Sequence, residues 1–197
     1  MKRNWAIALL WVLAAGSGVA SAHDGLHTSS AEQLRVGVQE RYRMPEVTVV
    51  DTSGQSVRLP KSMDSDVPLL VNFIYTTCST ICATQTATLA ELQRQLEARG
   101  SRAHFVSFTI DPDNDTPQRL AAFARQFSIK RDWDFYSGDF NELLRVQKAF
   151  DVYRGSKASH PPVVLMRRSR HAPWVRVEGF ATPAELHAVY QKLPAAR

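Results

Sequence analysis

The chain has 197 residues, 44% of them hydrophobic, with 24 Lys and Arg against 19 Asp and Glu and a formal net charge of +5. This length fits one domain whose core needs no disulfide staples. The basic residues are scattered apart from Arg167, Arg168 and Arg170, which read as a solvated turn. No nucleic-acid motif stands behind the charge, which allows at most a modest attraction to an acidic partner or membrane surface. Residues 1–22 open with Lys2 and Arg3, continue through an apolar run from Trp5 to Val19 and end in Ala20-Ser21-Ala22. That is the pattern of a secretory signal cleaved before His23, or of an N-terminal anchor if left uncleaved. Residues 23–44 are polar and read as a flexible leader. Cleavage would leave His23 at the terminus, whose amine and imidazole can bind divalent copper; His27 lies close behind.

Residues 45–197 carry the folded domain. Val47–Asp51 and Ser56–Leu59 flank a Gly-containing turn and predict a β-hairpin. The stretch from Val67 to Gly100 organises the rest. Leu69 to Tyr75 is a short β-rich apolar run, the signature of a central strand covered on both faces. From Ser79 the period changes, and Cys82, Gln85, Leu89, Leu92 and Leu96 mark one face of a helix stopped by Gly100. Ala103–Ile110 predicts a second buried strand, followed by Asp111-Pro112-Asp113-Asn114-Asp115. Thr116 as N-cap and Pro117 at the first helical position open the next helix. Asp111 and Asp115 are expected to cap that helix and shape the rim of the sheet. Their spacing resembles a calcium loop only superficially, because Thr116 stands where glycine is required. Phe135-Tyr136 is a weak strand, and Asp139 with Glu142 resembles a capping box. Pro162–Met166 and Trp174–Val177 are two further strands joined by a turn, and Thr182, Pro183 and Glu185 open the last helix. Alternating strands and helices predict an α/β fold with a mostly parallel sheet and antiparallel additions. Functional residues belong at the carboxyl ends of its strands, where Cys78 and Asp111 fall on one rim.

Cys78 and Cys82, the only cysteines, sit four apart at the strand-to-helix junction. Placed on a first helical turn, both sulfurs would share one face, and the helix N-terminus would favour thiolate. The junction thus presents two soft, ionisable groups at the exposed end of a buried strand.

The segment NFIYTTCSTIC, then VSFTIDPDNDTPQRLAAFA, then His160 before a strand, resembles the Sco/SenC family over roughly residues 40 to 195. Those are thioredoxin-fold copper-binding proteins associated with cytochrome oxidase assembly. The resemblance implies a thioredoxin-like fold with a central mixed sheet, an N-terminal β-hairpin and flanking helices. It also implies Cys78 and Cys82 as thiolate ligands of copper, and His160 as the imidazole ligand, on a proline loop facing the cysteines, often with a cis bond. Ser79 and Ala83 stand where the family commonly has prolines, and Ser159 where it commonly has an Asp before the histidine.

Two thiolates and an imidazole form a soft, low-coordinate set suited to Cu(I) and able to hold Cu(II). A structural zinc site wants four protein ligands. A structural disulfide between residues four apart would restrain little of the unfolded chain. The main rival is a thiol–disulfide oxidoreductase using the Cys78/Cys82 pair. Asp111 and Asp115 are supporting residues at the rim, and His104, His171 and His187 read as surface or packing residues. The reading is therefore a copper chaperone, more than an enzyme, that binds one copper. It is exported, periplasmic or held at the inner membrane if the signal is retained, and monomeric. Its partners are a copper-receiving enzyme subunit and a thiol reductant.

Overall fold

The computed structural model describes residues 34–196 other than 64, 65, 79 and 130. Residues 1–22, His23 and His27 lie outside them. The elements in chain order are β1 (Arg35–Gln39), β2 (Val47–Val50), β3 (Ser56–Leu59), β4 (Leu69–Ile74), α1 (Ile81–Ala98), β5 (His104–Thr109), α2 (Pro117–Gln126), β6 (Trp133–Gly138), α3 (Phe140–Ala149), β7 (Val163–Arg167), β8 (Trp174–Glu178) and α4 (Pro183–Gln191). Short 3-10 turns occupy Lys61–Met63 and Lys157–Ser159.

The eight strands form one sheet in the order β1-β8-β7-β4-β5-β6-β2-β3. The β4, β5 and β6 strands run parallel, and β7 lies antiparallel to β4. The β7–β8 and β2–β3 hairpins extend the two sides, and β2 joins β6 at Val49 and Val50. This mixed sheet with flanking helices is the thioredoxin-like architecture. All six residues of β4 are buried, as its apolar run predicts for a strand covered on both faces.

The period-2 alternation of β4 divides the core. Leu70 and Ile74 pack with Leu89, Leu92 and Leu96 of α1 and with Leu120 and Phe123 of α2. Leu69, Val71 and Phe73 face the opposite way, against Leu143 and Val146 of α3 and the hairpin residues Val47 and Val49. Each such fully buried aliphatic side chain contributes about 1.5–3 kcal/mol of transfer free energy. Beneath α1, Ser107 donates to the Asn72 side-chain oxygen and accepts from the Trp133 indole, so these central polar groups meet one another.

The helix ends follow local chemistry. Gly100 stops α1 at φ +68°, and its N–H reaches the Glu97 carbonyl while that of Ser101 reaches Leu96. The Thr116 hydroxyl caps α2 by accepting from Arg119 N–H, and Thr182 with Glu185 forms a full capping box on α4. Asp139 caps α3, but its expected box with Glu142 does not form. The Glu142 carboxylate instead accepts from Thr48 N–H at 3.3 Å and ties α3 to β2.

Residues 35–39, expected within a flexible leader, form β1, paired antiparallel with β8 along its length. Val36 and Val38 remain 52% and 54% exposed, so backbone pairing at the sheet edge, more than side-chain burial, holds this strand.

Candidate metal and thiol centre

The β4 strand ends at Ile74, and Cys78 lies in the connection from Tyr75 towards α1. A carboxylate beneath the sheet rim fixes this connection. Asp115 is fully buried and accepts from the Thr76 N–H and hydroxyl and from the Thr109 hydroxyl. Its own carbonyl accepts from Ser137. Asp115 therefore ties the cysteine turn to the ends of β5 and β6, and the expected helix cap is supplied by Thr116 alone. Such a satisfied buried network is costly to disturb.

Cys78 precedes the helix and does not share its first turn with Cys82. Its N–H donates to the Tyr75 carbonyl, and its sulfur accepts from the Cys82 N–H at 3.3 Å. The sulfur thus takes the place of a cap, because Thr80 at the N-cap makes no side-chain bond. Both cysteines are free thiols in this structure and pack on the α1 face of the sheet.

Their environments are unequal. Burial pushes the Cys78 thiol up, but hydrogen bonds from the Cys82 N–H, the Cys82 thiol, the Tyr75 hydroxyl and the Thr80 N–H outweigh it and hold Cys78 below its ordinary value. Burial drives Cys82 well above the ordinary range, and its hydrogen bond to Cys78 adds to that. Tyr75 is pushed up to about 12, first by burial and then by its bond to Cys78, so it stays a donor. The arrangement is an ionisable outer thiol backed by a protonated inner one.

His160 follows the Lys157–Ser159 turn and enters β7 through Pro161 and Pro162. Because β7 lies antiparallel to β4, His160 reaches the rim from which Cys78 departs. Its side chain goes the other way. The ring packs edge-on to Phe73, at 6.2 Å between centroids, and Nε2–H donates to the Phe73 carbonyl at 3.2 Å. Phe73 belongs to the α3 face, and His160 borders a cavity of about 170 Å³ with Phe140 and Gln147 of α3. Burial lowers its pKa to about 4, the Phe73 carbonyl opposing this and the charges of Arg154 and Arg176 adding to it. It is a neutral, tucked imidazole. Among the described residues no group of three or more His, Cys, Asp or Glu is gathered as a metal site. The expected meeting of His160 with the two sulfurs is absent from this conformation. The cis bond expected beside His160 is elsewhere too, at Leu59-Pro60.

Asp111 lies at the same rim. Its carboxylate accepts from Asn114 and from Lys157. Burial pushes it up, but these bonds and the Lys157 charge hold it below the usual carboxylate range. Lys157 also lies over the Tyr75 ring, 5.6 Å from its centroid. Of the other histidines, His104 bonds Asp134 at 2.8 Å near the start of β5. A recess of about 860 Å³ between the hairpin and α3 touches neither cysteine nor His160. The residues missed from sequence are Tyr75, read only as the end of a strand, and Lys157; neither lies in a spacing pattern that marks it.

Known proteins carry the same arrangement of elements. A curated SCO1 protein homolog of Bacillus subtilis (strain 168) is 37% identical over 98 residues, which is 49% of this chain; the chain spans about half the length of that relative. A solved structure of BsSco, described as a member of the Sco family of cytochrome c oxidase assembly proteins with a disulfide switch, is 25% identical with a TM-score of 0.64, over 77% of this chain and 92% of that one. Bradyrhizobium japonicum ScoI, solved with copper bound, is 22% identical with a TM-score of 0.61, over 76% of this chain and 98% of that one, and shows the shared fold. The SCO1/SenC family model matches residues 39–172, from the end of β1 through the cysteine turn and His160 into the β7–β8 turn. With that match over most of its length, this chain belongs to the SCO1/SenC family.

Proposed function

We propose that this protein is an exported copper carrier, holding one copper through Cys78, Cys82 and His160. It delivers copper to, or keeps thiols reduced for, a copper enzyme such as cytochrome oxidase during assembly. The observation that carries the reading is the unequal thiol pair at the strand-to-helix junction. Cys78 gives up its proton more readily than an ordinary thiol, and Cys82 holds its own until a soft cation or a sulfur replaces it. The copper-bound relative and the cytochrome oxidase assembly role of BsSco's family support copper as the cargo. The donor set fits in two parts. The two thiols are adjacent, hydrogen-bonded to each other and soft. The imidazole is at the same rim but turned toward Phe73, so the ring must swing round to reach the sulfurs. The Phe73 carbonyl orients the ring here, where the sequence carries Ser159 in place of an acidic neighbour.

The same pair supports a second reading, thiol–disulfide exchange. The Cys78 thiolate would attack a partner disulfide and release one partner thiol. Cys82, losing its proton, would then attack the Cys78 sulfur, leaving the chain oxidised and the partner a dithiol. Oxidation of the pair would remove both sulfur ligands, so the two activities exclude each other at any moment. The export reading rests on residues 1–22; among the described residues no helix is long and apolar enough to cross a membrane.

Mixing the copper-loaded protein with an apo acceptor domain, and the metal-free reduced protein with a model disulfide, separates the readings. Copper transfer with slow disulfide reduction supports the carrier. Fast disulfide reduction without metal transfer supports the oxidoreductase.

A further inference from the structure

The segment that delivers His160 is a short, exposed excursion. Residues 153–159 are all exposed, whereas His160 is only 6% exposed. Several of its side-chain bonds are local: Arg154 pairs with Asp151, and the Ser156 hydroxyl accepts from Ala158 N–H. One bond is not. Lys157, three residues before His160, reaches across 46 positions of sequence to the carboxylate of Asp111 at the end of β5. The same ammonium lies over the ring of Tyr75, whose hydroxyl bonds the Cys78 sulfur. Lys157 therefore fastens the His160 segment to the rim that holds the thiols while the imidazole points to the opposite face of the sheet.

We propose that the Lys157–Asp111 ion pair is a latch that keeps His160 tucked against Phe73, and that opening it frees the imidazole for the cysteine rim. The effect on copper rests on the reading of His160 as a copper ligand; the latch itself does not. Lys157 is a positioning residue, acting on how often His160 is available. Its side chain is 43% exposed and that of Asp111 is 10% exposed, so the pair is partly screened and its removal shifts the balance modestly. A ligand that needs the released state has its apparent affinity reduced by the fraction released. Weakening the latch therefore raises exposure of His160 and copper affinity by the same factor.

The test uses the reduced, full-length protein and its Lys157→Met, Asp111→Asn and Lys157→Arg variants. Carbethoxylation of His160 in the metal-free protein, located by mass spectrometry, reads its exposure without copper. Lys157→Met and Asp111→Asn are expected to speed it about threefold to fivefold, while Lys157→Arg, which keeps the pair, stays near the unsubstituted rate. Copper affinity is expected to rise by a similar factor in Lys157→Met, and not at all when His160→Ala is added, as a double-mutant cycle requires. An unchanged carbethoxylation rate in Lys157→Met overturns the latch, whatever copper does. Faster carbethoxylation without any change in copper affinity upholds the latch and removes His160 from the ligand set.

Discussion

The two halves of the proposed site share a rim but are built in opposite ways. The thiol half is fixed: Asp115 anchors the turn at Thr76, the Cys82 N–H engages the Cys78 sulfur, and the pair packs into the α1 core. The imidazole half is displaced. His160 is buried in the other core, satisfied by a backbone carbonyl, on a segment tied down by one long-range ion pair. The contrast separates two tasks. A soft pair of sulfurs must be kept close and unequal, which a buried hydrogen-bond network does well. A third ligand that completes the site only when needed is better held by contacts that can be exchanged one for another.

The contrast can be broken from the thiol side first. Asp115→Ala removes the acceptor for Thr76 and Thr109 and strands their buried donors. It is expected to cost about 3–5 kcal/mol in urea denaturation, with loss of the distinct reactivity of Cys78. A cost below about 1 kcal/mol would mean that the cysteine turn does not depend on this anchor.

The imidazole side is exposed by acid. His160 has a folded-state pKa of about 4, below its ordinary 6.5. The unfolded chain therefore takes up a proton that the tucked ring refuses. Its contribution is complete above about pH 6.5 and is lost as pH falls towards 4, up to about 3 kcal/mol. Comparing the stability of the metal-free protein with that of His160→Gln between pH 7 and pH 4 checks this. Parallel curves would show that the ring is not buried as a neutral group.

A smaller effect tests the inequality of the thiols. Tyr75→Phe removes one donor to Cys78 and is expected to slow alkylation of Cys78 near neutral pH about threefold, with Cys82 unaffected. The Lys157 variants sit at the same scale and sharpen the comparison from the imidazole side.

Much of the fold was legible. The apolar run at Leu69–Ile74, the 3.6 period from Cys82 to Leu96 and the capping residues Thr116, Asp139 and Thr182 announced the elements they form. The β1 strand was not, because an edge strand gains from backbone pairing with β8 and leaves Val36 and Val38 exposed. Glu142 looked like half of a capping box because spacing does not reveal that Thr48 N–H lies nearby. At the site, the cysteine pair was readable from spacing and position. The inward turn of His160 was not, since a residue preceding a strand can face either side of the sheet and its partner here, Phe73, is 87 positions away in sequence. Asp115 read as a cap for the same reason: its partners Thr76 and Thr109 come from two different strands' ends.

The most direct measurement is copper stoichiometry and affinity of the reduced protein beside Cys78→Ser, Cys82→Ser and His160→Ala. The account predicts one tightly held copper, lost in both cysteine variants and held at least tenfold more weakly in His160→Ala, where about 1.4 kcal/mol corresponds to each factor of ten. Unchanged affinity in His160→Ala would contradict the three-ligand site. The absence of tight copper in the unsubstituted protein would contradict the carrier itself and leave the Cys78/Cys82 pair as a redox centre.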